Sequence, residues 1–377
     1  MSEPSDIDRT RMRRVLALAA RGRGTAAPNP MVGCVIGRGH QVLGEGFHRA
    51  CGEAHAEAAA LADCRRRGHD PAGATVWVNL EPCCHQGRTP PCTGALIEAG
   101  IRRVVIAHED PNPEVAGGGS RALRDAGVEV IVGVAESAAR SLNEAWLRRV
   151  TTGRPWVVLK WAQTLDGRTG TRDGDSRWIS SDPARQLVHR WRSESDVVMV
   201  GAGTARADNP RLDARDVPVQ RRARRVILDA RLQTPADAAV VTSMTEGAGP
   251  VTLVTAAGQS STEAGQALVD AGVDLLEVEP DAGHPERLDL DQLMAALVEQ
   301  YQATRVLVEG GATLAGSLLA AGLVNELRVF TAPRLLGDEQ GVPAVSGLAP
   351  AAIDQATDLQ LRSVRRVGAD VLMVLRA

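Results

Sequence analysis

The chain has almost no lysine. It carries 43 basic residues in 377 positions, and all but Lys160 are arginine. Aromatics are nearly as sparse, at six Trp, two Phe and one Tyr. No apolar run approaches the ~18 residues that a membrane-spanning helix needs, so no membrane partner is expected. The N-terminal MSEPSDIDRTRMRR lacks the apolar core of a secretory signal, which argues for a cytoplasmic location. Six cysteines are too few for a disulfide scaffold in a chain this long, and a reducing compartment is expected. No sign of charge dominates either. The formal net charge of −3 leaves no electrostatic footprint for a nucleic-acid backbone.

What is present is an ordinary globular mixture, 44% hydrophobic and 24% charged. The length favours two domains or three. Where arginine serves almost every cationic need, the one lysine is a candidate for a task arginine cannot do. Lysine is a compact ammonium whose pKa moves on burial; arginine is a planar fork that stays protonated.

Residues 11–21 read as a helix. MVGCVIGRG and HQVLGEGF read as a strand pair around Gly37–Gly39. The Ala-rich GEAHAEAAALADCRRRG is helical and closed by Gly68. ATVWVNLEP, RRVVIAHEDP and VEVIVGV are strands with short helices between them, which predicts an α/β sandwich with a largely parallel sheet. The polar RRVTTGRP (148–155) marks a boundary, giving domains over 1–150 and 151–377. Beyond it the alternation restarts, with strands in PWVVLKWAQ, SDVVMVGAG, RRVILDA, VTLVT, VDLLEVE, TRVLVEGG, NELRVFTAP and DVLMVLRA. The second domain is therefore α/β as well.

One cluster in the first domain carries chemistry. His55-Ala56-Glu57 opens the Ala-rich helix, and EPCCHQGRTPPC follows. A histidine and two thiolates, His55, Cys83 and Cys92, are good zinc ligands, and three protein ligands leave a fourth position for water. Zinc lowers the pKa of that water, and a carboxylate that does not ligate can shuttle its proton. Glu57 is that candidate. Residues i and i+2 do not share a helix face, so His55 and Glu57 must sit at the helix start. H-x-E alone is common on exposed helices. Joined to a strand ending in EPC and a helix opening at PPC, it approaches the H-x-E…P-C-x-x-C signature of zinc-dependent nucleobase deaminases. Here eight residues, not two, separate the cysteines. The intervening loop offers His85 and Arg88 as phosphate partners. Cys34, Cys51 and Cys64 read as core or surface residues, and Cys84 as facing away from the ion.

In the second domain, VLVEGGATLAGSLL and VVMVGAGTARADNP are strand-to-helix turns whose free N–H groups suit an anion. Neither is a G-x-G-x-x-G fingerprint, and such turns are common as plain connections. Lys160, Asp166, Ser176, Trp178, Arg192, Asp208, Arg215 and Glu309 are the polar candidates around them.

PNPMVGCVI, GEGFHRACGEAHAE, EPCCHQGRTPPC and DPNPEVAGGG resemble the deaminase half of the RibD family of bifunctional riboflavin-biosynthesis enzymes, including the long cysteine spacing. KWAQTLDGRTGTRDGDSRWISS, GAGTARADNPRL and VEGGATLAGSLL are similar to its reductase half. The resemblance implies a cytidine-deaminase-like αβα sandwich followed by a dihydrofolate-reductase-like α/β domain. It implies zinc on His55, Cys83 and Cys92, with Glu57 as proton shuttle and Cys84 in place of the family's usual Ser. It implies substrate contacts at Asn29, His48, His85 and Arg88 in the first half. In the second it implies substrate contacts at Lys160, Ser176, Arg192, Leu212, Arg215 and Glu309. NADPH contacts would fall on Ala162, Trp178, Thr204, Asp208 and the turn Gly311, Ala312, Thr313, Leu314, Ala315, Gly316, Ser317. The implied chemistry is hydrolytic deamination of 2,5-diamino-6-(5-phosphoribosylamino)pyrimidin-4(3H)-one, then reduction of its ribosyl chain. The implied partner is that phosphorylated pyrimidine, with self-association through the reductase half. The stretch 240–300 carries no motif of the family. Two rivals remain at this point: a nucleic-acid or nucleoside deaminase with an accessory domain, which calls for a basic aromatic surface, and a non-enzymatic module with a closed zinc site, which calls for a fourth protein ligand.

Overall fold

The computed structural model describes residues 4–84, 91–112 and 117–377. Two compact units divide the chain, Met1–Arg154 and Pro155–Ala377.

The described residues of the first unit run, in order, through α1 (Asp6–Ala19), β1 (Gly33–Arg38), β2 (Gln41–Phe47), α2 (Ala56–Arg66), β3 (Thr75–Val78), α3 (Cys92–Glu98), β4 (Arg103–Ile106), α4 (Gly118–Asp125), β5 (Glu129–Val132), α5 (Glu136–Leu142) and α6 (Glu144–Thr152). The sheet order is β2-β1-β3-β4-β5. It is mixed rather than largely parallel: β1 pairs antiparallel with β2 and β3, and only β3, β4 and β5 run parallel. The reason is local, because only Gly39 and His40 connect β1 to β2, and so short a link can join only antiparallel strands.

Helices cover both faces. One face buries Cys34, Ile36, Val76 and Ile106 under α2, α3 and α4 through Ala60, Leu61, Leu96 and Leu123. The other buries Val35, Trp77 and Val105 under α1 and α5 through Met12, Val15 and Ala139. Alanine is what α2 needs here, since a Cβ placed on Gly46 of β2 would meet the Ala60 nitrogen at 2.6 Å. Helix and strand touch backbone to backbone, which fixes the start of α2 relative to the sheet. Helix α1 begins in a capping box between Ser5 and Asp8. The buried Asp8 carboxylate also accepts from Trp77 Nε1 at 2.8 Å and Arg103 Nη1 at 2.8 Å. Those bonds outweigh its burial and hold it well below the usual carboxylate range. Helix α6 runs through residue 150 and stops at Gly153, whose left-handed φ of 66° terminates it before Pro155.

The second unit contains β6 (Trp156–Gln163), β7 (Arg168–Gly170), α7 (Asp182–Glu194), β8 (Val197–Gly201), α8 (Ala202–Asp208), β9 (Arg224–Leu228), α9 (Ala239–Thr242), β10 (Val251–Ala256), α10 (Glu263–Asp270), β11 (Asp274–Val278), α11 (Leu290–Tyr301), β12 (Arg305–Glu309), α12 (Ala312–Ala320), β13 (Glu326–Thr331), β14 (Val342–Pro343), β15 (Gln360–Val367) and β16 (Asp370–Arg376). A nine-stranded sheet runs β11-β10-β9-β8-β12-β6-β13-β16-β15, and β7 pairs with β14 apart from it. Strands β11 through β13 are parallel, and the C-terminal hairpin β15–β16 is antiparallel. Helices α11 and α12 pack on one face, against Val197, Met199, Val306 and Val308. Helix α7 packs on the other against Val158, Leu307 and Phe330, while α8, α9 and α10 cover Val198 and Ile227. The stretch 240–300, which carries no motif, supplies β10, β11, α10 and α11, an ordinary extension of the core.

Candidate active sites

In the first unit, His55 is the N-cap of α2, with extended φ −66° and ψ 159°, so its ring leaves the helix axis. Glu57 lies in the first turn and is buried. Cys83 follows β3, and Cys92 is the first residue of α3. The three donor atoms, His55 Nδ1 and the two Sγ atoms, all lie within 4.8 Å of one another. His55 Nδ1 is 3.3 Å from Cys92 Sγ and 3.6 Å from Cys83 Sγ. The Cys92 N–H points at Cys83 Sγ over 3.4 Å, so the opening of α3 stabilises a thiolate there. The set is one imidazole and two thiols in a tight triangle, which suits zinc. Among the described residues no fourth side chain joins it, and Cys84 is outside the group. His85 and Arg88 lie outside the described residues.

The protonation pattern follows from that triangle. A hydrogen bond from Cys92 and contact with His55 pull the Cys83 thiol down to about 4 against its burial. The same hydrogen bond, with burial, pushes Cys92 far up. His55 is raised by its hydrogen bond to Cys83. Burial, with the Cys83 charge added, lifts Glu57 to about 7. A carboxyl poised near neutrality beside a metal triangle can take and return a proton.

His48 and Asn29 stand at the same mouth. The His48 ring meets His55 edge-on at 5.6 Å between centroids. His48 Nδ1 donates to the Ala54 carbonyl at 3.1 Å, which leaves Nε2 to accept from Asn29 Nδ2 at 3.0 Å. Burial lowers the His48 pKa and keeps this neutral tautomer. Two buried amides that the sequence did not single out hold the loop carrying Asn29. Asn143 Nδ2 and Asn79 Nδ2 both donate to the Met31 carbonyl at 2.9 Å, while Asn143 Oδ1 accepts from the Met31 N–H at 2.8 Å. Asn79 Oδ1 accepts from the Gly33 N–H at 2.7 Å. Asn143 is 112 positions from Met31, so no local pattern could have marked it.

In the second unit, Lys160 on β6 and Glu309 on β12 are register partners, and α7 lowers Arg192 onto them. Glu309 Oε1 accepts from Arg192 Nε at 2.6 Å and Oε2 from Nη2 at 2.9 Å. Lys160 Nζ is 4.0 Å from Glu309 Oε2. Burial alone would raise Glu309, but Arg192 and then Lys160 hold it down at about 2. Burial lowers Lys160, the behaviour that singled out the lone lysine as tunable. Arg192 Nη1 donates to the Asp213 carbonyl at 3.0 Å, so three of its five N–H groups are committed. Arg215, half-exposed, donates to Asp213 at 2.6 Å. Leu212 is buried with a left-handed φ of 58° and aims into the core.

Thr204 meets the Gly310–Gly311 turn where β8 and β12 end. Gly310 and Gly311 have φ of 80° and 88°, and a Cβ on Gly311 would sit 3.3 Å from Thr204 Oγ1. That bare backbone at adjacent parallel strand ends, opening α12, forms a cradle of free N–H groups that can accept an anion. Ala312 and Thr313 begin α12 beside it. Leu314 and Ala315 turn into the core, a Cβ on Gly316 would strike the Ser346 carbonyl oxygen at 1.8 Å, and Ser317 is reached by Arg287 at 3.4 Å. Only the opening of the Gly311–Ser317 run therefore faces the cradle. Ser176 Oγ donates to Asp208 at 3.4 Å. Trp178 is 57% exposed under the Arg185 guanidinium, 4.4 Å from its ring centroid. Ala162 is half-buried on β6 two residues beyond Lys160. Asp166 accepts the Gly337 N–H at 2.8 Å and pins that loop, which accounts for its charge without a ligand.

Comparison with known proteins covers both halves. Residues 155–373 match the family model of the RibD C-terminal domain. Residues 5–108 match the cytidine and deoxycytidylate deaminase zinc-binding region. The chain is 41% identical over 369 residues to riboflavin biosynthesis protein RibD of Escherichia coli strain K12, across 97% of this chain and 98% of that one. It superimposes on a structure of Acinetobacter baumannii RibD with a TM-score of 0.86 and 37% identity, over 98% of each chain. A Thermotoga maritima structure gives 0.85 and 34%, again over 98% of each; it is described as a diaminohydroxyphosphoribosylaminopyrimidine deaminase/5-amino-6-(5-phosphoribosylamino)uracil reductase.

Proposed function

The chain belongs to the RibD family, the bifunctional deaminase–reductases of riboflavin biosynthesis, and from that premise we propose how its residues divide the two reactions. Its cofactors are zinc and NADPH. The observation that carries the reading is the triangle of His55, Cys83 and Cys92 beside a buried Glu57, in one chain with the Lys160–Glu309–Arg192 cluster.

The first unit hydrolytically removes the 2-amino group of 2,5-diamino-6-(5-phosphoribosylamino)pyrimidin-4(3H)-one. His55, Cys83 and Cys92 would hold zinc, which would supply the Lewis acidity that lowers the pKa of a water. Glu57 accepts the water proton and returns it to the ring nitrogen, then serves the leaving amine. Asn29 and His48 orient the pyrimidine, and His85 and Arg88 contact its phosphate.

The second unit reduces the ribosyl chain to ribityl, with NADPH supplying hydride to C1′ when bound. Lys160 and Glu309 position the opening sugar, with Ser176 and the backbone of Leu212 beside it. Arg192 and Arg215 face the phosphate, Arg215 with the freer donors. The opening of the Gly311 turn, with Ala312 and Thr313, lies along the cofactor together with Thr204, Asp208, Trp178 and Ala162, while Leu314 to Ser317 anchor that turn to the core. A small phosphorylated pyrimidine, not a nucleic acid, fits the balanced charge. Six free thiols suit a reducing cytoplasm. No helix is long and apolar enough to cross a membrane among the described residues. We assign self-association to the second unit, where β15 is exposed along nearly its whole length.

The test is one cuvette holding purified zinc-loaded protein, NADPH and the diaminopyrimidine phosphoriboside, with ammonia followed alongside nicotinamide absorbance. Loss of NADPH in step with ammonia supports both assignments. Ammonia without NADPH loss overturns the second, and neither signal overturns the substrate.

A further inference from the structure

We propose that Asp213 is the positioning residue of the phosphate subsite in the second unit, a residue that no motif or spacing marks. The inference rests on the reading above that Arg192 and Arg215 face the substrate phosphate.

Asp213 is 7% exposed and spends every acceptor it has on cations and their neighbours. Its Oδ1 accepts from Arg215 Nη1 at 2.6 Å and its Oδ2 from Arg211 Nε at 3.1 Å. Its backbone carbonyl accepts from Arg192 Nη1 at 3.0 Å and from His189 Nδ1 at 3.2 Å. One residue thus ties two side chains of its own loop to two of α7. The loop itself is fixed from below. Arg225, fully buried, donates through Nη1 to the Arg211 carbonyl at 3.0 Å, to the Val240 carbonyl at 2.8 Å and to Ser243 Oγ at 2.6 Å. Leu212 is sunk in the apolar cluster between them.

The charges explain why an acid belongs beside an anion. Lys160, Arg192, Arg211 and Arg215 bring four positive charges, and Asp213, Glu309 and the Glu246 carboxylate paired with Arg211 bring three negative ones, so the surplus stays positive at +1 (4 − 3). That sign suits a phosphate. Arg215 is half-exposed, and a free arginine loses substantial rotamer entropy when a ligand immobilises it. The Asp213 carboxylate imposes that order before the ligand arrives, and leaves the outer donors of the guanidinium available.

Asp213→Asn keeps the backbone carbonyl, the size and one acceptor oxygen, and removes the charge. We expect KM of the reductase for the phosphorylated substrate to rise about tenfold, with kcat within about twofold and KM for NADPH unchanged. With the dephosphorylated substrate the variant and the parent should match. Arg215→Gln is the companion, and turnover of the dephosphorylated substrate by the same variants reports that the second unit is folded. If both variants raise KM for the phosphorylated substrate alone, the inference stands. If Arg215→Gln raises it and Asp213→Asn does not, Asp213 is no positioning residue and the phosphate reading survives. If neither moves it, the phosphate reading falls and takes the inference with it. A fall in KM for Asp213→Asn, or equal losses with both substrates, overturns the inference as well: the first makes the carboxylate a repulsive neighbour, the second a purely structural one.

Discussion

Glu57 and Glu309 are both buried glutamates at the centre of a site, one in each unit, and their surroundings drive them in opposite directions. Burial, with the Cys83 charge added, outweighs the pull of His55 on Glu57 and lifts it to about 7. Glu309 is gripped by both arms of Arg192 with Lys160 behind, and stays charged down to about 2. The same side chain is thereby made a proton carrier in one unit and a fixed anion in the other. Deamination moves several protons, and the first unit supplies a group that can hold one. Hydride reduction of a sugar needs geometry and a steady field, and the second unit supplies an ion-pair frame.

Breaking the first half of that comparison should have the largest effect. Glu57→Gln keeps the shape and removes the proton traffic; ammonia release should fall on the order of 10³-fold, while NADPH oxidation with the already deaminated substrate continues. Equal losses in both assays would mean that Glu57 supports the fold and not the reaction. Glu309→Gln is the mirror experiment. It frees Arg192 and Lys160 from their anchor and should cost the reductase on the order of 10²-fold in kcat/KM, with deamination intact.

A smaller effect tests the loop behind the first site. Asn143→Ala strips the Met31 N–H and carbonyl of one partner each, at a cost of about 1–3 kcal/mol, and lets the Asn29 loop wander. The deaminase KM should rise roughly tenfold, with the reductase untouched; a KM unchanged from the parent would mean the loop is held without Asn143.

The smallest effects are in stability, and their signs oppose. The folded pKa of Glu309 lies below its unfolded value of 4.5, so its contribution is present above 4.5 and is lost as pH falls towards about 2. The folded pKa of Glu57 lies above 4.5, so its contribution is present below 4.5 and fades as pH rises through about 7. In chelator-stripped protein, melting curves of Glu57→Gln should gain on the parent between pH 4.5 and 7. Those of Glu309→Gln should gain on the parent between pH 4.5 and 2. Differences of a few degrees, about 2–8 °C, are expected, and slopes of the same sign would break the comparison.

The two sites also differed in how far they could be read in advance. His55, Glu57, Cys83 and Cys92 are confined to 38 positions, and each pair flanks a helix start or strand end whose residues are recognisable. The strands of the second unit were legible too, from PWVVLKWAQ to DVLMVLRA, because their β-branched runs are bounded by polar turns. The edge strand β15 was not, since QLRSVRRV is exposed at nearly every position and carries no burial pattern. Nor was the antiparallel start of the first sheet separated from a parallel one. Asn79 and Asn143 escaped because each acts through backbone groups brought near by folding, and Asp213 because its carbonyl takes the side chains of α7 only in the folded chain; a lone Asn or Asp has no period or spacing to betray it.

By itself the sequence determined which chemistry is on hand: a histidine and thiols at metal-binding spacing with a carboxylate alongside, one lysine among arginines, and two α/β units to hold them. Spacing along the chain decides that, because adjacent residues on one element keep their relation in any fold that forms the element. The tertiary structure alone decided what each group is. It set Glu57 near neutrality and Glu309 far below it, locked three of Arg192's donors, and placed Asp213 under four side chains. Those properties depend on desolvation and on charges contributed from distant parts of the chain, and such distances come into being only when the sheet and its helices close around them.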